Sequence, residues 1–159
     1  MPYNKVCVAV ALQRYLDFTP IAEKIRDLAL LVAKADGIPL AVISVEAPVE
    51  LLPDVDTMEE KIARFVEPLE QQGLRVAAEI RKGKPSREIM NFLDECEADC
   101  LIIGSHSKRG PLDVGLGSTA SALMNEVQTT MITVRPTEAD QQRARELMIP
   151  RYPLVFPYG

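Results

Sequence analysis

Apolar positions along this chain fall into short runs separated by longer stretches with helical spacing. Lys5-Val-Cys-Val-Ala-Val-Ala-Leu12 is apolar nearly throughout and does not alternate. A strand of that kind is buried on both faces, as in a parallel sheet. Thr19-Pro20 then opens a helix, because Thr is a good N-cap and Pro suits the first helical position. Ile21, Ile25, Leu28 and Val32 form one apolar stripe, and Gly37 supplies a left-handed stop. Leu40 to Val45 reads as a second buried strand. Glu46 to Asp56 holds two prolines and no period, and reads as a loop.

Thr57-Met-Glu-Glu60 matches a capping box, followed by Ile62, Phe65, Val66 and Leu69 at helical spacing. Pro68 inside that pattern is expected to kink or shorten the helix, and Gly73 to end it. Leu74 to Ile80 alternates more than the other strands, as expected nearer a sheet edge. Gly83-Lys-Pro85 turns into a third helix with Ile89, Phe92, Leu93 and Cys96 on one face. Cys100 to Ile103 is a fourth strand, Ser118 to Val127 a fourth helix and Met131 to Val134 a fifth strand. Strands alternating with helices predict a doubly wound α/β fold, a parallel sheet covered on both faces. Right-handed crossovers then leave few topologies.

The last residues break the alternation. Thr137 to Ile149 is patterned as a polar helix. Pro150, Pro153 and Pro157, interleaved with Tyr152, Leu154, Phe156 and Tyr158, exclude an inner strand. The chain thus divides into a domain over 1–136 and a tail over 137–159. The tail is apolar enough to be expected in an ordered place, against its own domain or as an arm on a second subunit.

Composition narrows the function classes. The 159 residues fit one domain with one core. A net charge of −5 with scattered basic residues argues against nucleic acid, which needs a basic stripe. No run approaches the roughly 20 apolar residues of a membrane span. With no export signal, Cys7, Cys96 and Cys100 read as reduced thiols, and the location as cytoplasmic. They lack the partners of a metal site.

The segment that bears chemistry is Ile103 to Thr119. It leaves the carboxyl end of a strand and enters the N-terminus of a helix, where open α/β sheets bind ligands. Glycines there let backbone approach an anion, and the first helical amides at Ser118 and Thr119 lie at a positive dipole end. Lys108 and Arg109 add charge. The plain alternative is a long connection that needs glycines for its turns. The segment is neither a P-loop nor the dinucleotide fingerprint, since the required triplet and spacing are missing. His106, the sole histidine, has no paired nucleophile and reads as a solvated loop residue. Asp113 reads as a turn residue, and Asp94, Glu95, Glu97 and Asp99 as a solvated helix end. No catalytic residue emerges.

Gly104, Ser107 and Gly117-Ser118 stand at the spacing of Gly, two residues, Gly, nine residues, Gly-Ser/Thr. Together with Gly110, Ser118-Thr-Ala120 and Pro136, they make residues 3 to 136 resemble the universal stress protein family. The resemblance implies an adenine nucleotide alpha hydrolase-like fold with five parallel strands and pairing into a homodimer through the fifth strand. It implies a regulatory, stress-response role without high turnover; slow ATP hydrolysis would need His106 or Asp113. It makes ATP a candidate ligand, with Mg²⁺ only where ATP is bound. The ligand positions it implies are Ala11, Val45, Ile103, Gly104, Ser107, Gly110, Gly117, Ser118 and Thr119. Two of them depart from the ATP-binding pattern. Ser107 replaces the second glycine, at about 1–2 kcal/mol if a left-handed backbone is required there. Ala11 replaces the aspartate that ends strand one, forfeiting a charged hydrogen bond of roughly 1.5–3 kcal/mol. A loss of about 3–5 kcal/mol is two to three powers of ten in affinity. The alternative is a nucleotide-free protein of the same fold acting through its dimer surface and tail, on a regulatory partner the sequence does not name.

Overall fold

The computed structural model describes residues 3–13, 15–46, 56–105 and 117–148. The elements run β1 (Val6–Ala9), α1 (Pro20–Lys34), β2 (Leu40–Glu46), α2 (Met58–Gln71) and β3 (Val76–Lys82). They continue with α3 (Pro85–Cys96), β4 (Cys100–Gly104), α4 (Ser118–Glu126), β5 (Thr130–Val134) and α5 (Glu138–Leu147). The five strands form one parallel sheet in the order β3-β2-β1-β4-β5. The expected doubly wound fold is therefore the observed one. The chain order reverses direction beside β1, so the C-terminal ends of β1 and β4 border the crevice where such sheets take ligands.

The three inner strands are apolar on both faces because both faces are covered. Val6, Val8, Leu40, Val42, Cys100 and Ile102 meet α1 and α2 on one side. Cys7, Ala9, Ala41, Ile43, Leu101 and Ile103 meet α3 and α4 on the other. The more alternating β3 lies at a sheet edge, as its pattern predicts.

Local signals act where the sequence places them. The Thr19 side chain accepts from the Ala22 amide at 3.2 Å. Thr57 and Glu60 form the reciprocal capping box. Gly37 and Gly73 take positive φ of 63° and 85° just past their helices.

Several boundaries differ from expectation. β3 runs Val76–Lys82 instead of 74–80, because the Leu74 amide bonds back to the Leu69 carbonyl and its buried side chain finishes the α2 turn. β1 stops at Ala9, although the Val10 amide still reaches the Ile43 carbonyl at 3.0 Å. α2 continues through Pro68 to Gln71, so the proline does not shorten it. The proline forfeits its own bond to the Arg64 carbonyl, and the helix continues past it for three residues. The apolar stripe of α1 is also narrower than the large side chains suggested. Ile21, Ala22, Ile25, Ala29 and Ala33 are the buried positions, while Leu28 and Val32 are half-buried. Alanines let the helix lie close to the sheet, so the contact follows their line.

α5 begins with a second capping box, Thr137 with Asp140. It lies along α1, with an ion pair between Lys24 and Asp140. The Leu16 amide donates to the Leu147 carbonyl at 2.8 Å, and Tyr15 pairs with Met148 as an isolated antiparallel bridge. The proline- and aromatic-rich stretch 149–159 lies outside the described residues.

Candidate functional site

Strand polarity brings the carboxyl ends of β1, β2 and β4 to one rim. There the structure holds a cavity of about 140 Å³. Its walls come from six elements and from the segment after β1. Ala9, Val10 and Ala11 line it from β1 onward, Ile43 and Val45 from β2, and Ile103 and Gly104 from β4. Ile21 and Ile25 of α1 close one side, Pro85 and Ile89 of α3 another, and Thr119 of α4 completes it. Of the nine ligand positions in the sequence reading, Ala11, Val45, Ile103, Gly104 and Thr119 thus meet around one space. Gly117 and Ser118 adjoin it in sequence as the N-cap and first residue of α4. Ser107 and Gly110 lie outside the described residues, as do His106, Lys108, Arg109 and Asp113.

Each wall has a local cause. The glycine at 104 is a close-approach residue. A Cβ there would stand 3.2 Å from both Ile21 Cγ1 and Ile25 Cδ1, so its absence lets α1 pack over the end of β4. Gly117 caps α4 with extended backbone (φ −61°, ψ 166°) and offers no side-chain oxygen to the first-turn amides. Those amides sit at the positive end of the helix, which suits an anion.

The β1–α1 segment is held from three sides. Ser44, buried on β2, donates its hydroxyl to the Val10 carbonyl at 2.7 Å. The buried Lys61 of α2 donates through Nζ to the carbonyls of Leu12 and Tyr15, both at 3.1 Å. α5 bonds the same segment at Leu16. Ala11, between these anchors, is exposed at the cavity rim. Sequence reasoning missed Lys61. A lone lysine at a helical position resembles any surface lysine until the fold turns it onto carbonyls that have left the sheet.

Electrostatics elsewhere are structural. Arg81 forms a bidentate pair with Glu95 at 2.7 and 2.9 Å, which holds that carboxyl below the usual carboxylate range. Asp99 accepts from the Asn4 amide at 3.0 and 3.1 Å and from the Lys5 amide at 3.2 Å, fixing the entry to β1. The acidic run therefore caps and pairs at the surface. Burial pushes the Cys100 thiol up to about 11. Cys7 is raised further, first by burial and then by the nearby Cys96 and Cys100. Burial also raises Cys96. These are thiols kept protonated, the opposite of a reactive centre. Among the described residues no group of three His, Cys, Asp or Glu is placed to hold a metal, and no helix is long and apolar enough to cross a membrane.

The model of the universal stress protein family matches residues 2–135. The chain belongs to that family. A universal stress protein of Methanocaldococcus jannaschii is 25% identical over 77 residues, 48% of this chain and 45% of the relative. The chain spans about half the length of the curated relatives it matches. Among solved structures, a universal stress protein from Archaeoglobus fulgidus aligns with a TM-score of 0.64 at 22% identity, over 84% of this chain and 94% of that one. A universal stress protein from the same organism, solved in complex with dAMP, aligns at 0.62 with 21% identity, over 84% and 98%. At these identities the solved structures show a shared fold.

Proposed function

We propose that this protein is a regulatory binding module of the universal stress protein family. It works as a homodimer, and its ligand carries a phosphate bound at the carboxyl end of the sheet. The observation that carries this reading is the convergence of Ala11, Val45, Ile103, Gly104 and Thr119 on one cavity beside an N-terminus of α4 that lacks a side-chain cap. The dAMP complex of a family member supports a phosphate-bearing ligand. The phosphate half of the site fits such a ligand, because Ser118 and Thr119 bring backbone amides and hydroxyls to a positive helix end. The nucleoside half fits less well. Ala11 brings no carboxylate to the rim, so affinity for ATP is expected to be weak. Mg²⁺ enters this reading only with a bound ATP. The regulatory output passes through the dimer and needs no turnover, and the raised thiols and paired carboxylates described above supply no nucleophile or base. A cytoplasmic setting accords with the three free thiols.

A second reading, an interaction protein with a silent site, rests on Ala11 and Ser107, of which Ala11 lies among the described residues. Thermal unfolding with millimolar ATP–Mg²⁺, AMP and inorganic phosphate separates the two. A ligand bound only by the native state adds RT ln(1 + [L]/Kd), about 2.7 kcal/mol at a 100-fold excess over Kd. A shift with AMP or phosphate at least equal to that with ATP is the expected result. No shift with any of the three would leave the silent-site reading.

A further inference from the structure

We infer that the cavity at the carboxyl end of the sheet receives an apolar ring or a compact branched alkyl group from a ligand without a sugar, and that position 11 sets this preference. The inference rests on the proposal that this end of the sheet is the ligand site, and it names what enters it.

The chemistry of the walls carries the inference. Among the described lining side chains, Thr119 provides the one polar group, and none is charged. Five of the twelve described lining residues are isoleucines (Ile21, Ile25, Ile43, Ile89 and Ile103). A hydroxyl turned onto these walls finds no side-chain partner among the described residues except Thr119, and each polar group left unpaired costs about 1–3 kcal/mol. An apolar ring carries no such group to leave unpaired and gains contact with the isoleucines. The size agrees. The volume is about 140 Å³, and an apolar cavity of about 150 Å³ is known to stay dry and bind benzene.

One edge of the cavity departs from uniform apolarity. The strand alternation that aims the Ile43 carbonyl at the Val10 amide aims the Val45 peptide groups the same way, past the last β1 pair. That edge offers a hydrogen bond to a ring nitrogen such as the N–H of indole. It does not serve a sugar, whose hydroxyls point in several directions. At the rim, Ala11 is the exposed residue between the anchored carbonyls of Val10 and Leu12. A methyl group there extends the apolar wall. A carboxylate there would accept hydroxyls and repel an apolar ring.

The test uses the whole chain with its isoleucine δ-methyl groups labelled for NMR. Benzene, indole and adenosine are titrated separately, and inorganic phosphate is read independently on the amides of Ser118 and Thr119. Benzene and indole are expected to shift the five lining isoleucines with saturation while leaving Ile38, Ile62 and Ile102 unmoved. Adenosine is expected to bind at least about tenfold more weakly than indole, the equivalent of one unpaired polar group. Ala11→Asp, at an exposed position, should reverse that order. Adenosine equal to or tighter than indole in the natural protein overturns the inference. So does failure of both rings to saturate, or equal movement of the control isoleucines. The phosphate arm bears on the proposed function alone, because ring binding is decided whether or not phosphate binds.

Discussion

Gly104 and Lys61 illustrate how single residues set this site. The glycine spacing of the loop marks 104 as a ligand contact, yet the structure gives it a packing duty as well, since Ile21 and Ile25 occupy the space a side chain would need. Gly104→Ala is therefore expected to force those two isoleucines outward and to destabilise the fold by about 1–3 kcal/mol, the usual cost of overpacking. Denaturant unfolding measures this, and an unchanged midpoint would show that α1 yields freely. Lys61 was legible only as a helical residue. Its role depends on two separated segments meeting, for the acceptors at Leu12 and Tyr15 in the β1–α1 segment lie 49 and 46 residues away. The single-residue substitutions Ala11 and Ser107 were both visible in the sequence, but only Ala11 has a described setting.

At the scale of elements, α5 is the part whose attachment is electrostatic. The Lys24 ammonium beside Asp140, together with the Thr137 amide, holds that carboxyl below the usual carboxylate range. A carboxyl lowered in the folded state stabilises above its unfolded pKa and loses that contribution as pH falls through the folded value. The α5 docking should thus be intact at neutral pH and weaken below about pH 4, where an ordinary aspartate protonates. Amide exchange is expected to rise in α5 before α1 as pH is lowered. In Lys24→Met the Asp140 carboxyl should titrate nearer the ordinary value, as followed by its carbon shift. If α5 and α1 lose protection together at every pH, the ion pair plays no separate part. The polar pattern foretold this helix, whereas its seat on α1 and its bond to the β1–α1 segment came from packing between residues more than a hundred positions apart.

For the whole molecule, the open question is what covers the outer edge of the sheet. β5 pairs with β4 through peptide groups on one side. The alternation that aims the Val134 carbonyl at the Ser105 amide turns the peptide groups of Met131 and Thr133 toward the other side. A homodimer formed along β5 would use them. Light scattering is expected to give twice the mass of the chain, and Thr133→Pro, which removes an outward amide, should shift the protein toward monomer with the fold retained. A mass of one chain in the natural protein would refute assembly through β5.

The hydrophobic rhythm by itself determined the alternation of strands and helices, the burial of both sheet faces and most helix starts. These depend on neighbours a few residues apart, so a linear pattern holds them. The glycine and hydroxyl spacing likewise pointed to the carboxyl end of β4, where the structure has a cavity. Tertiary structure decided which alanines let α1 approach, why Leu74 finishes a helix, and where Lys61 spends its charge. It also decided that the space at the strand ends is lined by isoleucine. Each of these is a meeting of residues far apart in the chain, which only the closed fold brings within contact distance.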